Sequence, residues 1–108
     1  MALSRYVTYA AGVTGTQASI NMDPAISPFN ASVAVYLVST GTYGVQYSLD
    51  PNTTSDANSR WFDDANLPAG QTTSKVTNYM FPVTKLRIVI VANATGIEFK
   101  ALQGFTTN

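Results

Sequence analysis

Cysteine and histidine are both absent from this 108-residue chain. Without thiols there is no disulfide, no thiolate metal site and no cysteine nucleophile. Without imidazole the commonest general base and the commonest metal ligand are missing together. Charge is scarce as well. Six basic and six acidic residues make up 11% of the chain and cancel to a formal net charge of zero, against about a quarter charged in an ordinary soluble domain. The basic residues are scattered, so neither nucleic acid nor a membrane surface is expected as a partner. The longest apolar run, Ile88 to Ala92, is far too short to cross a bilayer. Met1 to Arg5 carries no charged segment leading into an apolar core, so no secretory signal is expected and synthesis and folding in a cytoplasm are.

What the chain does have is hydrophobic content of 45%, ordinary for a globular protein. The length predicts a single domain over residues 1–108, large enough for a real core. With so few charges the surface has to be built from Ser, Thr, Asn, Gln and backbone. It lacks the self-repulsion that keeps monomers apart, which favours assembly.

Apolar residues recur with period two between turn formers, and no segment sustains a helical period. Val7, Tyr9, Ala11 and Val13 alternate, then Ala18, Ile20 and Met22. Pro24 and Pro28 predict an irregular crossing over residues 23–30. From Ser32 to Ser39 both alternating sets are apolar, Tyr36 among them, which predicts a strand covered on both faces by a folded-back loop or a neighbouring subunit. Tyr43, Val45, Tyr47 and Leu49 predict a half-exposed strand after the turn at Thr40-Gly41-Thr42. Leu86, Ile88 and Ile90, with Lys85 and Arg87 opposite, lead through Asn93-Ala94-Thr95-Gly96 to Ile97, Phe99 and Ala101, which predicts a hairpin. The sum is an all-β, single-domain antiparallel β-sandwich of about eight strands, jelly-roll or related Greek-key.

A long connection from Asp50 to about Ser74 separates these strands, and connections of that length usually carry function or short elements of their own. Asp50, Asp56, Asp63 and Asp64 ring it with carboxylates, but their spacing matches no calcium loop, and turn-forming Asp is the expected role. Asp64 and Glu98 offer the paired carboxylates a glycosidase needs, yet nothing in the sequence supplies a cleft or a group to raise one pKa. No enzymatic activity, cofactor or metal is expected. Trp61, Tyr43, Tyr47, Tyr79 and Tyr36 are the candidate interface residues, because Trp and Tyr anchor interfaces and glycan platforms. Phe62 is expected to plug the open end of the sandwich. The sequons at Asn30, Asn52 and Asn93 are ones that a chain rich in Asn, Ser and Thr holds by chance.

The residues Val45-Gln46-Tyr47-Ser48-Leu49-Asp50, Trp61-Phe62, Asn66-Leu67, Phe81-Pro82-Val83-Thr84-Lys85-Leu86-Arg87 and Leu102-Gln103-Gly104 cover a little over half the chain. Together they resemble a group of small structural proteins of tailed-bacteriophage virions. The resemblance implies a β-sandwich of the capsid decoration or cement type, located on the capsid surface. Its implied partners are the major capsid protein and further copies of itself as a dimer or trimer. A tail, baseplate or head-tail connector component, or a receptor- or carbohydrate-binding module on the virion, is the alternative. No catalytic residue comes with the resemblance.

Overall fold

Alternating apolar and polar residues give nine strands. In the computed structural model, which describes residues 2–25 and 29–104 and only the backbone of residues 2 and 3, these are β1 (Ala2–Tyr9), β2 (Gly15–Thr16), β3 (Ile20–Asn21), β4 (Ala31–Leu37), β5 (Thr42–Ser48), β6 (Phe62–Asp63), β7 (Lys75–Tyr79), β8 (Lys85–Ala92) and β9 (Ile97–Gly104). Among the described residues there is no helix. The middle of the expected proline-rich crossing, residues 26–28, lies outside the described residues.

Two antiparallel sheets form, one in the order β1-β9-β4-β7 and the other β2-β8-β5-β6, with β3 also pairing with β8. Gly15 and Thr16 lie against Ile90 and Val89, while Ile20 and Asn21 lie against Leu86 and Lys85. β2 and β3 therefore share one edge position, and each sheet has four. The chain changes sheet at every connection between these positions except β5 to β6. This is the jelly-roll or related Greek-key sandwich that the alternation predicts.

The core lies between the sheets. Val33, Val35, Ile88, Ile97 and Phe99 are among its fully buried members, and Phe29, Leu67 and Val83 close it from the connecting segments. Burying one such side chain contributes roughly 1.5–3 kcal/mol. Among the described residues, no buried side-chain nitrogen or oxygen lacks a hydrogen-bond partner. Buried Gln103, for example, exchanges two bonds with the backbone of Asp23, at 2.6 and 3.0 Å.

The expected hairpin between β8 and β9 does not form. β8 pairs with β2, β3 and β5, and β9 pairs with β1 and β4. Residues 93–96 are instead a corner between the sheets. The physical reason is that Ile88 and Ile90 on one strand and Ile97 and Phe99 on the next all need the same core, and facing sheets bury both sets. Asn93 fastens the corner: its amide donates to the carbonyls of Ala10 and Val13, and its carbonyl accepts from Gly96 N at 2.8 Å. Gly96 sits there at φ +112°, a conformation that costs glycine nothing. The turn at residues 40–42 is likewise a corner, from β4 to β5.

β5 is more enclosed than the half-exposed strand expected from sequence. Tyr43, Gly44 and Val45 are all buried, whereas Leu49 lies past the strand end and is exposed. Pro68 and Ala69 pass directly over Gly44, where a Cβ would come within 2.7 Å of the Ala69 Cα. Only glycine admits that approach.

Candidate interaction surface

The long connection folds over the outer face of the β2-β8-β5-β6 sheet. Lys85, on the face opposite Leu86, is 1% exposed. Its ammonium donates to the carbonyl of Thr54 and to Ser59 Oγ, and lies 3.8 Å from Asp56 Oδ1. Asp56 also accepts from Ser19 Oγ at 2.6 Å and Ser19 N at 3.0 Å. The Ser19 hydroxyl bond is the largest of the effects that hold its carboxyl below the usual range; the Ser19 amide bond and the charges of Lys85 and Arg87 add to it.

Trp61 belongs to the same cover. Its indole N–H donates to the Asp56 carbonyl at 3.0 Å, and the Arg87 guanidinium lies 4.0 Å over its ring. Arg87 Nε is held in turn by Gln46 Oε1 at 2.7 Å. Burial lowers the Arg87 pKa from its usual value, against the attraction of Asp56. Trp61 is half-buried and serves to fasten the loop.

The aspartates are dispersed along this connection, and each has its own donors. Asp50 accepts from Arg60 N at 2.5 Å and Asp63 from the Gln46 amide at 3.1 Å. Asp64 accepts from Asn66 N, Leu67 N and the Tyr79 hydroxyl. Asp64, on the amides of Asn66 and Leu67, has the turn-forming role expected of an Asx side chain, whereas Asp50, Asp56 and Asp63 reach donors on other segments. Glu98 lies among Tyr6, Tyr36 and Lys100, so it shares no neighbour with Asp64 and the two do not flank a common cleft.

An aromatic cluster lies where β5, β6 and β7 come together. Tyr47 stacks on Phe62 at 5.7 Å and meets Tyr79 and Phe81 edge-on at 5.6 and 5.4 Å. Phe62 does not plug the sandwich end. It pairs across from Tyr47 in β6 and remains half exposed, one of its faces stacked on that ring. Beside the cluster is a cleft of about 150 Å³ whose walls include Tyr47, Phe81, Asp63 and Asn66.

Two of the candidate tyrosines offer no surface. Tyr43 is fully buried with its hydroxyl donating to the Thr73 carbonyl at 2.8 Å, and burial pushes its pKa up to about 12. Tyr79 is buried with its hydroxyl on Asp64; burial, then that bond and the carboxylate charge, raise its pKa. Both lie on the inward side of their strands, where alternation alone does not separate an anchor from core.

Tyr36 is different, being 52% exposed on the outer face of the β1-β9-β4-β7 sheet. Of the two covers expected over β4, the folded-back loop is not the one found, since the long connection lies on the other sheet. Tyr6, Val38, Val76 and Leu102 join Tyr36 on this open face. The register places Tyr6 beside Lys100, Lys100 beside Ala34, and Ala34 beside Val76. The next row holds Thr8, Glu98 and Tyr36. The Tyr6 hydroxyl donates to Glu98, and Lys100 lies 5.0 Å from the Tyr6 ring centre. Sequence reasoning missed Tyr6, Val76 and Leu102; its only signal was the apolar character of both sides of β4.

No protein-family model and no curated protein sequence matches the chain. Among solved structures, it is similar to a chain of Bacillus endospore appendages, described as a novel family of disulfide-linked pili. The likeness covers 100% of this chain and 88% of that one, with a TM-score of 0.54 at 17% identity. It supports the sandwich fold alone. This chain, without cysteine, has no disulfide available for linkage. The coat protein of Tobacco streak virus, solved as a dimer, is similar over 97% of this chain and 88% of its own, with a TM-score of 0.37 at 11% identity. A score so low carries no argument.

Proposed function

We propose that this protein is a non-enzymatic structural component of a bacteriophage virion, a capsid decoration or cement protein that binds the lattice of the major capsid protein and stabilises the head. The observation that carries the reading is the open face of the β1-β9-β4-β7 sheet. It exposes Tyr6 and Leu102 on one side of Lys100 and Glu98 and Tyr36, Val38 and Val76 on the other, on a protein of zero formal net charge. Several large apolar side chains exposed on one face among polar groups mark a contact site. The carboxylates of the long connection, meanwhile, are engaged in holding it in place. A cement protein works through many modest contacts repeated by symmetry, and needs a rigid body more than a reactive group.

The test is reconstitution. Particles stripped of the protein are expected to lose resistance to heat and to regain it when purified protein rebinds in hundreds of copies. Unchanged heat resistance of stripped particles would rule out cementing. A copy number of about a dozen or fewer, as closed rings give, would move the protein to a connector, tail or baseplate.

The exposed rings of Phe62 and Phe81 beside Asp63 and Asn66 favour a second reading, a receptor- or carbohydrate-binding module on the virion. Saturation-transfer NMR with host surface glycan tests it, a signal lost in Phe81→Ala supporting the cleft.

A further inference from the structure

The open face of the β1-β9-β4-β7 sheet is complementary to itself. We infer that it binds a second copy of this chain about a twofold axis running across the strands at the level of Phe99. The inference rests on the assembly role proposed above and names the partner of this face.

Strand register sets the outward side chains in rows. One row carries Tyr6, Lys100 and Ala34, and the next carries Thr8, Glu98 and Tyr36. Outside the first row lie Leu102 and Ser32, paired across the strands. Outside the second lie Gly96 and Val38, joined by a backbone bond of 3.1 Å. Two copies meeting face to face about a twofold axis parallel to the strands and over β9 would set Lys100 on Lys100 and Glu98 on Glu98, and one between β9 and β4 would leave both charges without an opposite charge. An axis perpendicular to the strands, midway between the two central rows, lays each row on the other.

In that arrangement the large and charged groups of β1, β9 and β4 meet fitting ones. Lys100 faces the partner's Glu98, and Tyr36 faces the partner's Ala34. Leu102 faces the partner's Gly96, Val38 faces the partner's Ser32, and Tyr6 faces the partner's Thr8. Large residues opposite small ones are what allow packed layers to interdigitate. Ala34 in fact lies in a shallow hollow of about 340 Å³, lined also by Tyr6, Tyr36, Glu98 and Lys100, which the partner's Tyr36 enters. Facing sheets pack about 10 Å apart, within reach of these side chains, and cross at about 30°. The match is therefore tightest on the central strands β9 and β4, where the charges, Tyr36 and the hollow all lie. A twofold contact of this kind is isologous, each residue pair occurring twice.

Sedimentation velocity over a micromolar dilution series tests the inference, with circular dichroism melting to show that each variant is folded. The unmodified protein is expected to be dimeric. Lys100→Glu and Glu98→Lys are each expected to weaken dimerisation about tenfold to a hundredfold, because each replaces two attractive contacts by two repulsive ones. The double variant E98K/K100E restores both ion pairs and is expected to recover the dimer. Ala34→Arg, which fills the hollow, is expected to abolish it. A monomer at all concentrations overturns the inference, as does a dimer indifferent to Lys100→Glu and Ala34→Arg, or a double variant that stays dissociated. Rebinding to stripped capsids is scored separately: a monomer that rebinds removes the twofold and leaves the virion role standing, whereas a dimer that does not rebind does the reverse.

Discussion

The two sheets of this sandwich finish their outer faces in opposite ways. On the β2-β8-β5-β6 sheet the chain supplies its own cover, fastened through Lys85, Asp56, Ser19, Arg87 and Trp61. On the β1-β9-β4-β7 sheet the described residues supply none, and apolar side chains face solvent around one Glu and one Lys. Most of the polar connections made by charged side chains are therefore spent on the covered face. Perturbing that face should cost folding stability, whereas perturbing the open one should cost association.

The largest effect is expected at Lys85. Lys85→Ala removes a buried cation from two hydrogen bonds and an ion pair and leaves the Thr54 carbonyl without its donor, so the covering loop is expected to detach at a cost of about 3 kcal/mol. Urea denaturation of a folded variant measures this, and a loss below about 1 kcal/mol would mean that the loop is held by other contacts. Gly44→Ala comes next, at about 1–3 kcal/mol of overpacking, because Pro68 and Ala69 leave no room for a methyl group.

Titration probes the same face more gently. The Asp56 carboxyl is held below its usual pKa, so its contribution is complete above the ordinary carboxylate range and is lost as pH falls through the folded value. Asp56→Asn is expected to flatten the acid limb of a stability-against-pH curve and leave the neutral-to-alkaline limb unchanged. Tyr43 gives the opposite sign. Its pKa rises from 10.0 to about 12 on folding, so its contribution is complete below pH 10 and is lost between those values. Tyr43→Phe is expected to flatten the alkaline limb over that interval, read by circular dichroism.

Much of the sandwich was legible because alternation is a local property. Val33, Val35, Ile88 and Phe99 were assignable to a buried face from their spacing alone, as burial confirms. Which strand pairs with which is a long-range property, and there local signals misled. Asn93-Ala94-Thr95-Gly96 has the composition of a hairpin turn, yet Asn93 bonds to Ala10 and Val13 far away in sequence and turns the chain to the other sheet. The burial of Lys85 was illegible for a related reason. A lysine at an outward position normally reaches water, and only the fold brings Thr54 and Ser59 over it. The candidate tyrosines divide along the same line: Tyr36 is on the outer face, and Tyr43 and Tyr79 are core with satisfied hydroxyls.

The smallest effect is the sharpest comparison between the two faces. In a Lys100→Glu background, where dimerisation is weakened, an added Tyr36→Ser is expected to change unfolding free energy by less than about 0.5 kcal/mol, the range of surface substitutions that touch no special feature. In the same background Trp61→Ser is expected to cost about 1–2 kcal/mol, since it removes the ring under Arg87 and the donor to Asp56. Both are half-exposed aromatics on the outer side of a sheet, and composition does not distinguish them. The difference arises because Trp61 is bonded into its own chain, while no described residue covers Tyr36. Equal costs at the two positions would mean that the open face stabilises the monomer, and would remove the reason for expecting a partner there.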